Sequence, residues 1–233
     1  MGKGGVLVTG GSRRIGRAIA LKLANAGHPV AILTRSTSDD GLSVVKEIEA
    51  QGVKALLIEG DLSSEDSLRG IFSQTARTLG PMIGLVNCAS MFEWDDIQSI
   101  SYDSILAHSA TNLAGPLVLI SELMVHLEEN DAKNGSGCIV NILDQKLAAP
   151  HGDHLSYTMS KYALEGATHA LSRSLAPIAR INAVSPGHTL PSPEQTGRGF
   201  ALAQSQSPLG FGPTPEDIAQ TVLLYFSVPS LTG

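Results

Sequence analysis

Short β-branched apolar runs alternate with longer amphipathic stretches from one end of this 233-residue chain to the other, the sequence form of repeated strand, helix, strand units. The spacing predicts strands near 5–9, 29–34, 53–59, 83–88, 137–143 and 179–184, and helices near 15–26, 41–51, 64–79, 102–129, 155–176 and 215–227. The strands are nearly continuous apolar runs, such as Val6-Leu7-Val8 and Val30-Ala31-Ile32-Leu33. That pattern is expected where helices cover both faces of a parallel sheet. No stretch is long or polar enough to act as a linker, so residues 1–233 read as one doubly wound α/β domain.

The rhythm breaks over 186–215, where Pro186, Pro191, Pro193, Pro208, Pro213 and Pro215 fall among glycines and polar residues. An insert of this length after the sixth strand is expected to be a substrate loop or lid over a cleft, the plainer reading being a solvated loop. Composition narrows the partners. Charged residues make 16% and hydrophobic ones 42%, which excludes disorder and coiled coil. Lysine and arginine number 16 against 22 acidic residues, a net charge of −6, so no basic field exists to hold a nucleic acid. Cys88 and Cys138 are too few for a disulfide framework and wrongly spaced for zinc, and the histidines show no metal-ligand spacing. The first residues lack signal-peptide architecture, and no uncharged apolar run approaches the ~18 residues of a membrane span. A cytoplasmic protein without metal, membrane or nucleic-acid partners is expected.

The first strand ends in Thr9-Gly10-Gly11-Ser12-Arg13-Arg14-Ile15-Gly16 and opens a helix. Glycines there let the backbone approach a pyrophosphate, whose charge is held by amides at the helix N-terminus. The second strand ends Leu33-Thr34-Arg35-Ser36, with no acid to take a ribose 2′-hydroxyl. Arg13, Arg14 and Arg35 instead suit a 2′-phosphate, so NADPH is expected over NADH. Asp61 and Leu62 follow the third strand, placed to meet the adenine amino group.

Asp144 follows the fifth strand, and Tyr157 and Lys161, four residues apart, share a helix face. An ammonium there is expected to favour the phenolate and lower the tyrosine pKa, making Tyr157 a usable proton donor. Asp144 also has plainer readings as a helix N-cap or an ion-pair partner of Lys146 or Lys161.

Together with Asn87-Cys88-Ala89-Ser90, Asn112 and Asn182-Ala183-Val184-Ser185-Pro186-Gly187, these motifs resemble the short-chain dehydrogenase/reductase family in order and approximate spacing. The resemblance implies a Rossmann-like fold of six to seven strands flanked by helices, and a nicotinamide cofactor (NADPH/NADP+) contacted by Gly10, Ser12, Arg13, Arg14, Ile15, Gly16, Arg35, Ser36, Asp61, Leu62, Asn87 and Ala89. Tyr157 would be the proton donor, Lys161 would bridge to the nicotinamide ribose, Asn112 would order a relay water, and Pro186 and Gly187 would lie against the nicotinamide. It further implies a homodimer or homotetramer paired through the helices at 102–129 and 155–176; family members usually continue past the place of Leu231 through a last strand, so this chain is expected either to be trimmed or to have a six-stranded sheet without that edge.

Three departures sharpen the reading. Arg14 stands where the family has a glycine, Asn87-Cys88-Ala89-Ser90 replaces Asn-Asn-Ala-Gly, and Asp144 replaces the catalytic serine. With Arg35, Ser36 and Phe92, they resemble the pteridine reductase subgroup, including dihydromonapterin reductases. That resemblance implies a pterin held by Arg14, Ser90, Phe92, Asp144 and Tyr157, with Phe92 sandwiching the ring against the nicotinamide. Reducing a C=N bond needs a proton on nitrogen as hydride reaches carbon, so a second acid beside Tyr157 makes chemical sense, and a desolvated Asp144 with a raised pKa would supply it. The expected activity is an NADPH-dependent oxidoreductase for a dihydropteridine- or dihydrofolate-like ring. A ketone or quinone reductase of the same family is the alternative, and a catalytically silent NADPH sensor a third. His188, beside Gly187, is a further candidate for the pocket wall, and a solvated loop histidine its plainer reading.

Overall fold

The structure, a computed structural model, describes residues 3–192 and 195–233; Pro193 of the insert and the first two residues lie outside them. Strands β1 (Gly5–Thr9), β2 (Val30–Thr34), β3 (Ala55–Glu59), β4 (Met82–Asn87), β5 (Gly137–Ile142) and β6 (Ala179–Val184) form one parallel sheet in the order β3-β2-β1-β4-β5-β6. All six predicted strands are present. The order reverses between β1 and β4, which opens a crevice at their carboxyl ends, where ligands bind in open α/β sheets.

The near-continuous apolar runs have a direct explanation in packing. Val6 and Val8 face one side of the sheet with Val30 and Ile32, while Leu7 and Leu85 face the other, all fully buried. Helices α1 (Arg14–Asn25), α2 (Asp39–Glu49) and α9 (Pro215–Ser227) cover the first face through Ile19, Leu23, Ile48 and Val222. Helices α4 (Ile71–Leu79) and α6 (Gly115–Glu129) cover the second through Phe72, Leu119 and Leu123. Helix α9 begins with a capping box between Thr214 and Asp217, with Pro215 in its first turn.

Three elements differ from expectation. The helix predicted over 64–79 is two, α3 (Glu65–Leu68) and α4, because Gly70 adopts a left-handed φ of 71° between them. The stretch over 102–129 is α5 (Tyr102–Ser109), a π-helical turn (Ala110–Ala114) and α6. Its mean hydropathy of 1.3 over a membrane-length window would suit a bilayer, but Leu119, Leu123 and Leu127 bury its second half in the core. The insert after β6 carries a helix, α8 (Gly197–Ser205). Helix α7 (Leu155–Ser174) lies beside β6, and past α9 the chain runs along β6's outer edge, where Gly233 donates its N–H to Ile181 O at 2.9 Å.

Candidate active site

Apart from the helix-borne Lys161 and Tyr157, Asn112 and Phe92, the predicted positions sit at carboxyl ends of strands. Gly10 to Gly16 follow β1, Arg35 and Ser36 β2, Asp61 and Leu62 β3, Asn87 to Ser90 β4, Asp144 β5, and Pro186 and Gly187 β6. The turn after β1 is a backbone cradle. Gly10 has a left-handed φ of 67°, and a Cβ on Gly16 would stand 2.2 Å from the Gly10 carbonyl oxygen. Thr9 Oγ1 accepts from the N–H groups of Cys88 and Ala89, both at 2.9 Å, drawing the end of β4 against the turn. Arg13 at the N-cap of α1 offers no side-chain cap, so the first-turn amides are not claimed by one. Free amides, close backbone approach and the exposed Arg13 and Arg35 fit a dinucleotide phosphate.

Two details of that half were not foreseen. Arg14 keeps the left-handed geometry of a glycine, with φ 53°, and donates through Nη2 to Pro191 O at 2.9 Å. It ties the turn to the insert, instead of joining Arg13 and Arg35 alone. The Asp61 carboxyl is held below its usual value by hydrogen bonds from Ser63 Oγ and N, aided by the nearby Arg35 charge.

At the other end of the cleft, Tyr157 donates to Asp144 Oδ2 at 2.7 Å. The second oxygen, Oδ1, accepts from Lys146 N at 2.8 Å, so Asp144 is also the N-cap of the short 3-10 turn Gln145–Leu147. Of the plainer readings the N-cap is the one present, on Oδ1, while Oδ2 takes the Tyr157 hydroxyl. Lys146 pairs instead with Asp153. Lys161 is 3% exposed, donates to Ile142 O at 2.8 Å, and lies 5.7 Å from the centroid of the Tyr157 ring.

The electrostatics correct one expectation. Burial first, then the charge and hydrogen bond of Asp144, raise the Tyr157 pKa well above its ordinary value, where the spacing to Lys161 predicted a lowered one. The carboxylate is in direct contact, whereas the ammonium is not, and burial brings Lys161 itself down to about 8. In this state Tyr157 keeps its proton.

Asn112 is buried in the π turn with its side chain fully engaged. Its Oδ1 accepts from Met91 N at 2.7 Å and Ser90 Oγ at 3.1 Å, and its Nδ2 donates to Met91 O and Ser160 Oγ at 2.9 Å. It therefore fixes the loop after β4 against α7, and only its backbone carbonyl is left for a relay. Pro116, which lacks an N–H, stands four residues on and so leaves that carbonyl without its α-helical donor; this was the readable signal for the irregular turn. Asn87, Asn141 and Thr168 form a buried hydrogen-bonded chain linking β4, β5 and α7 beneath the site.

Phe92 is 42% exposed and meets Tyr157 edge-on, with centroids 4.7 Å apart at 87°. His188 faces Gln145 at 3.1 Å on the rim, and Gly187 packs near Pro213. Two residues that sequence reasoning passed over complete the site. Asp95, 4% exposed, accepts from Ser156 Oγ at 2.5 Å, Ser156 N at 3.1 Å and Ser104 Oγ at 3.0 Å. Burial pushes its pKa up, but those bonds outweigh it and hold the carboxyl below its usual range. It anchors the start of α7, and no local pattern announces it. His154 stacks on Phe92.

The family model described as short chain dehydrogenase matches residues 5–197. A crystal structure of FolM alternative dihydrofolate reductase 1 from Brucella canis, complexed with NADP, superposes with a TM-score of 0.91 at 36% identity, covering 99% of this chain and 89% of that one. An uncharacterized oxidoreductase of Escherichia coli is 30% identical over 229 residues, 95% of this chain and 92% of its own. A 3-oxoacyl-[acyl-carrier-protein] reductase of Staphylococcus epidermidis is 30% identical over 193 residues, 78% of this chain and 73% of its own. With the crevice, the glycine cradle and the tyrosine and lysine on α7 in place, these matches make the chain a member of the short-chain dehydrogenase/reductase family.

Proposed function

We propose that the chain is an NADPH-dependent reductase of pterin-type rings. The observation that carries this reading is the direct hydrogen bond from Tyr157 to Asp144 at 2.7 Å, which sets a phenolic proton and a carboxyl group side by side where a C=N reduction needs a proton on nitrogen. Bound NADPH supplies the hydride; the chain supplies position and protons. Tyr157, held protonated, is the general acid, and the half-buried Asp144 that accepts its hydrogen bond assists protonation of the ring nitrogen. Lys161 spends one of its three N–H donors on Ile142 O and keeps two for ribose hydroxyls. Phe92 offers an exposed aromatic surface beside Tyr157 for a planar ring. The NADP-complexed Brucella structure supports both cofactor and ring class.

A second reading, reduction of an unrelated ketone, is favoured by the similarity to a 3-oxoacyl reductase. NADPH oxidation measured with dihydrobiopterin, dihydromonapterin and dihydrofolate against a panel of small ketones decides between them. Turnover of a reduced pterin is expected; turnover confined to ketones replaces the first reading with the second. Asp144→Ser tests the mechanism, since pterin reduction is expected to fall about 10²-fold or more with NADPH binding retained, and undiminished activity would show that the second acid is not needed.

For assembly, we propose pairing through α5, α6 and α7, supported by the exposed apolar side chains Ile105, Leu106, Val125 and Met159 on these helices. Sedimentation equilibrium that returns a monomer at micromolar concentration would end that reading.

A further inference from the structure

His154 lies immediately before α7, three residues from Tyr157, and holds a left-handed backbone with φ 47°. For a residue with a Cβ this conformation is sterically disfavoured, so the fold must hold it there. Its carbonyl accepts from Thr158 N at 2.9 Å and Thr158 Oγ1 at 2.8 Å, closing the first turn of α7. Its Nδ1 lies 3.0 Å from Glu93 O; a carbonyl only accepts, so Nδ1 carries the proton. These anchors leave the imidazole nearly parallel to the Phe92 ring, with centroids 4.1 Å apart at 19°. Phe92 in turn meets Tyr157 edge-on at 4.7 Å.

We infer that His154 is the positioning residue for the substrate ring: by stacking on one face of Phe92 it fixes that ring perpendicular to Tyr157 and leaves the opposite face as a rigid platform for a planar heterocycle. The inference rests on the pterin reading and adds the residue that sets its selectivity for flat rings. Phe92 sits in a loop segment, and its 42% exposure shows that little else encloses it. Without a backing ring it would rotate about its side-chain bonds, and a planar ligand would have to order it on binding. An aliphatic ketone makes no such demand, so the effect of His154 is confined to ring substrates.

The test compares His154→Asn, which tolerates the left-handed backbone but has no ring, with His154→Phe, which restores one. In His154→Asn, KM for the dihydropteridine is expected to rise about five- to tenfold, the size of one lost aromatic contact. Its kcat should stay within about twofold and its NADPH affinity should be unchanged, a split that general damage to the fold would not produce. His154→Phe is expected to recover most of the loss. The stack is also read without turnover, because the carbon-bound imidazole protons of His154 should resonate upfield of an unstacked histidine and return in Phe92→Leu. An unchanged KM in His154→Asn, a His154→Phe variant no better than it, or imidazole protons at unstacked positions would each overturn the inference. Absence of pterin turnover by the native protein, with the upfield resonances present, defeats the substrate reading and leaves the stack standing. The KM comparison is then made between a planar aromatic ketone and an acyclic one, and equal effects on both overturn it.

Discussion

Arg14 and His154 occupy matching places at the two ends of the cleft. Each opens a helix, α1 and α7, and each holds a left-handed backbone, with φ 53° and 47°. Among the described residues the only other non-glycine with positive φ is Asp131, after α6. Such strain persists only where the surroundings enforce it, and it gathers at functional sites. The two positions nonetheless serve different kinds of construction. Around Arg14 the site is made of backbone: glycines that let the chain close on itself, and first-turn amides that no side chain caps. Around His154 it is made of side chains, with Asp95, Ser104, Ser156, Phe92 and Tyr157 held by one another. The first kind tolerates almost no added atom, while the second depends on each polar partner being present.

The sharpest separation of the two ends is Tyr157→Phe. Turnover should fall about 10²–10⁴-fold, the usual worth of a general acid, with NADPH affinity by fluorescence titration retained because the phosphate cradle is untouched. Loss of cofactor binding in this variant would show that the ends are not independent, and full NADPH affinity without any native turnover would point to the sensor.

Gly16→Ala attacks the backbone end. Its Cβ would meet the Gly10 carbonyl oxygen at 2.2 Å, so a loss of up to about 3 kcal/mol of stability and weaker NADPH binding are expected, measured by denaturant melts and titration. A variant as stable and as tight as the native protein would mean the cradle is pliable.

Lys161→Met probes the cost of building with side chains. Burial lowers the Lys161 pKa from 10.5 to about 8. Between those values the unfolded chain binds the proton and the folded chain does not, so this group makes stability rise with pH across that window. Below it, the buried ammonium costs the fold on the order of 3 kcal/mol. Removing it should stabilise the protein at about pH 7 by roughly 2 kcal/mol, allowing ~1 kcal/mol for the lost bond to Ile142 O. That gain should vanish as pH rises to about 10. Urea melts at both ends of the range check the slope, and a pH-independent difference would contradict it.

The smallest effect is expected at Arg14→Gly. Relief of the left-handed backbone should add about 1 kcal/mol of stability, while loss of the bond to Pro191 O frees the insert, which hydrogen exchange over 186–215 would report. A destabilised variant would mean that the Pro191 link outweighs the strain.

The two ends were also unequally readable in the sequence. The turn after β1 is local: its glycines, its arginines and the helix that follows are consecutive, so Gly10 to Gly16 announced both structure and ligand class. The departure at Arg14 was visible, though not its reach to Pro191, which lies 177 residues away. At the other end Tyr157, Lys161 and Asp144 were found through spacing and resemblance, but the sign of the Tyr157 shift was not. Distance to Lys161 along a helix says nothing of burial or of which charged group is in contact, and the fold buried Tyr157 and gave Asp144 that contact. His154 and Asp95 gave no signal because their roles exist only through partners brought from residues 92–95 and 154–156 by the sheet.

Patterns of neighbouring residues thus determined, by themselves, the six strands, the doubly wound order of elements, the glycine turn after β1 and the shared helix of Tyr157 and Lys161, because apolar periodicity and turn chemistry are local properties. The tertiary structure decided which carboxylate touches the phenol, where the helix over 102–129 takes its π turn, how Asn112 spends its side chain, and which ring backs Phe92. Those depend on distances between segments far apart in the chain, and burial turns small differences in such distances into large differences in hydrogen bonding and charge.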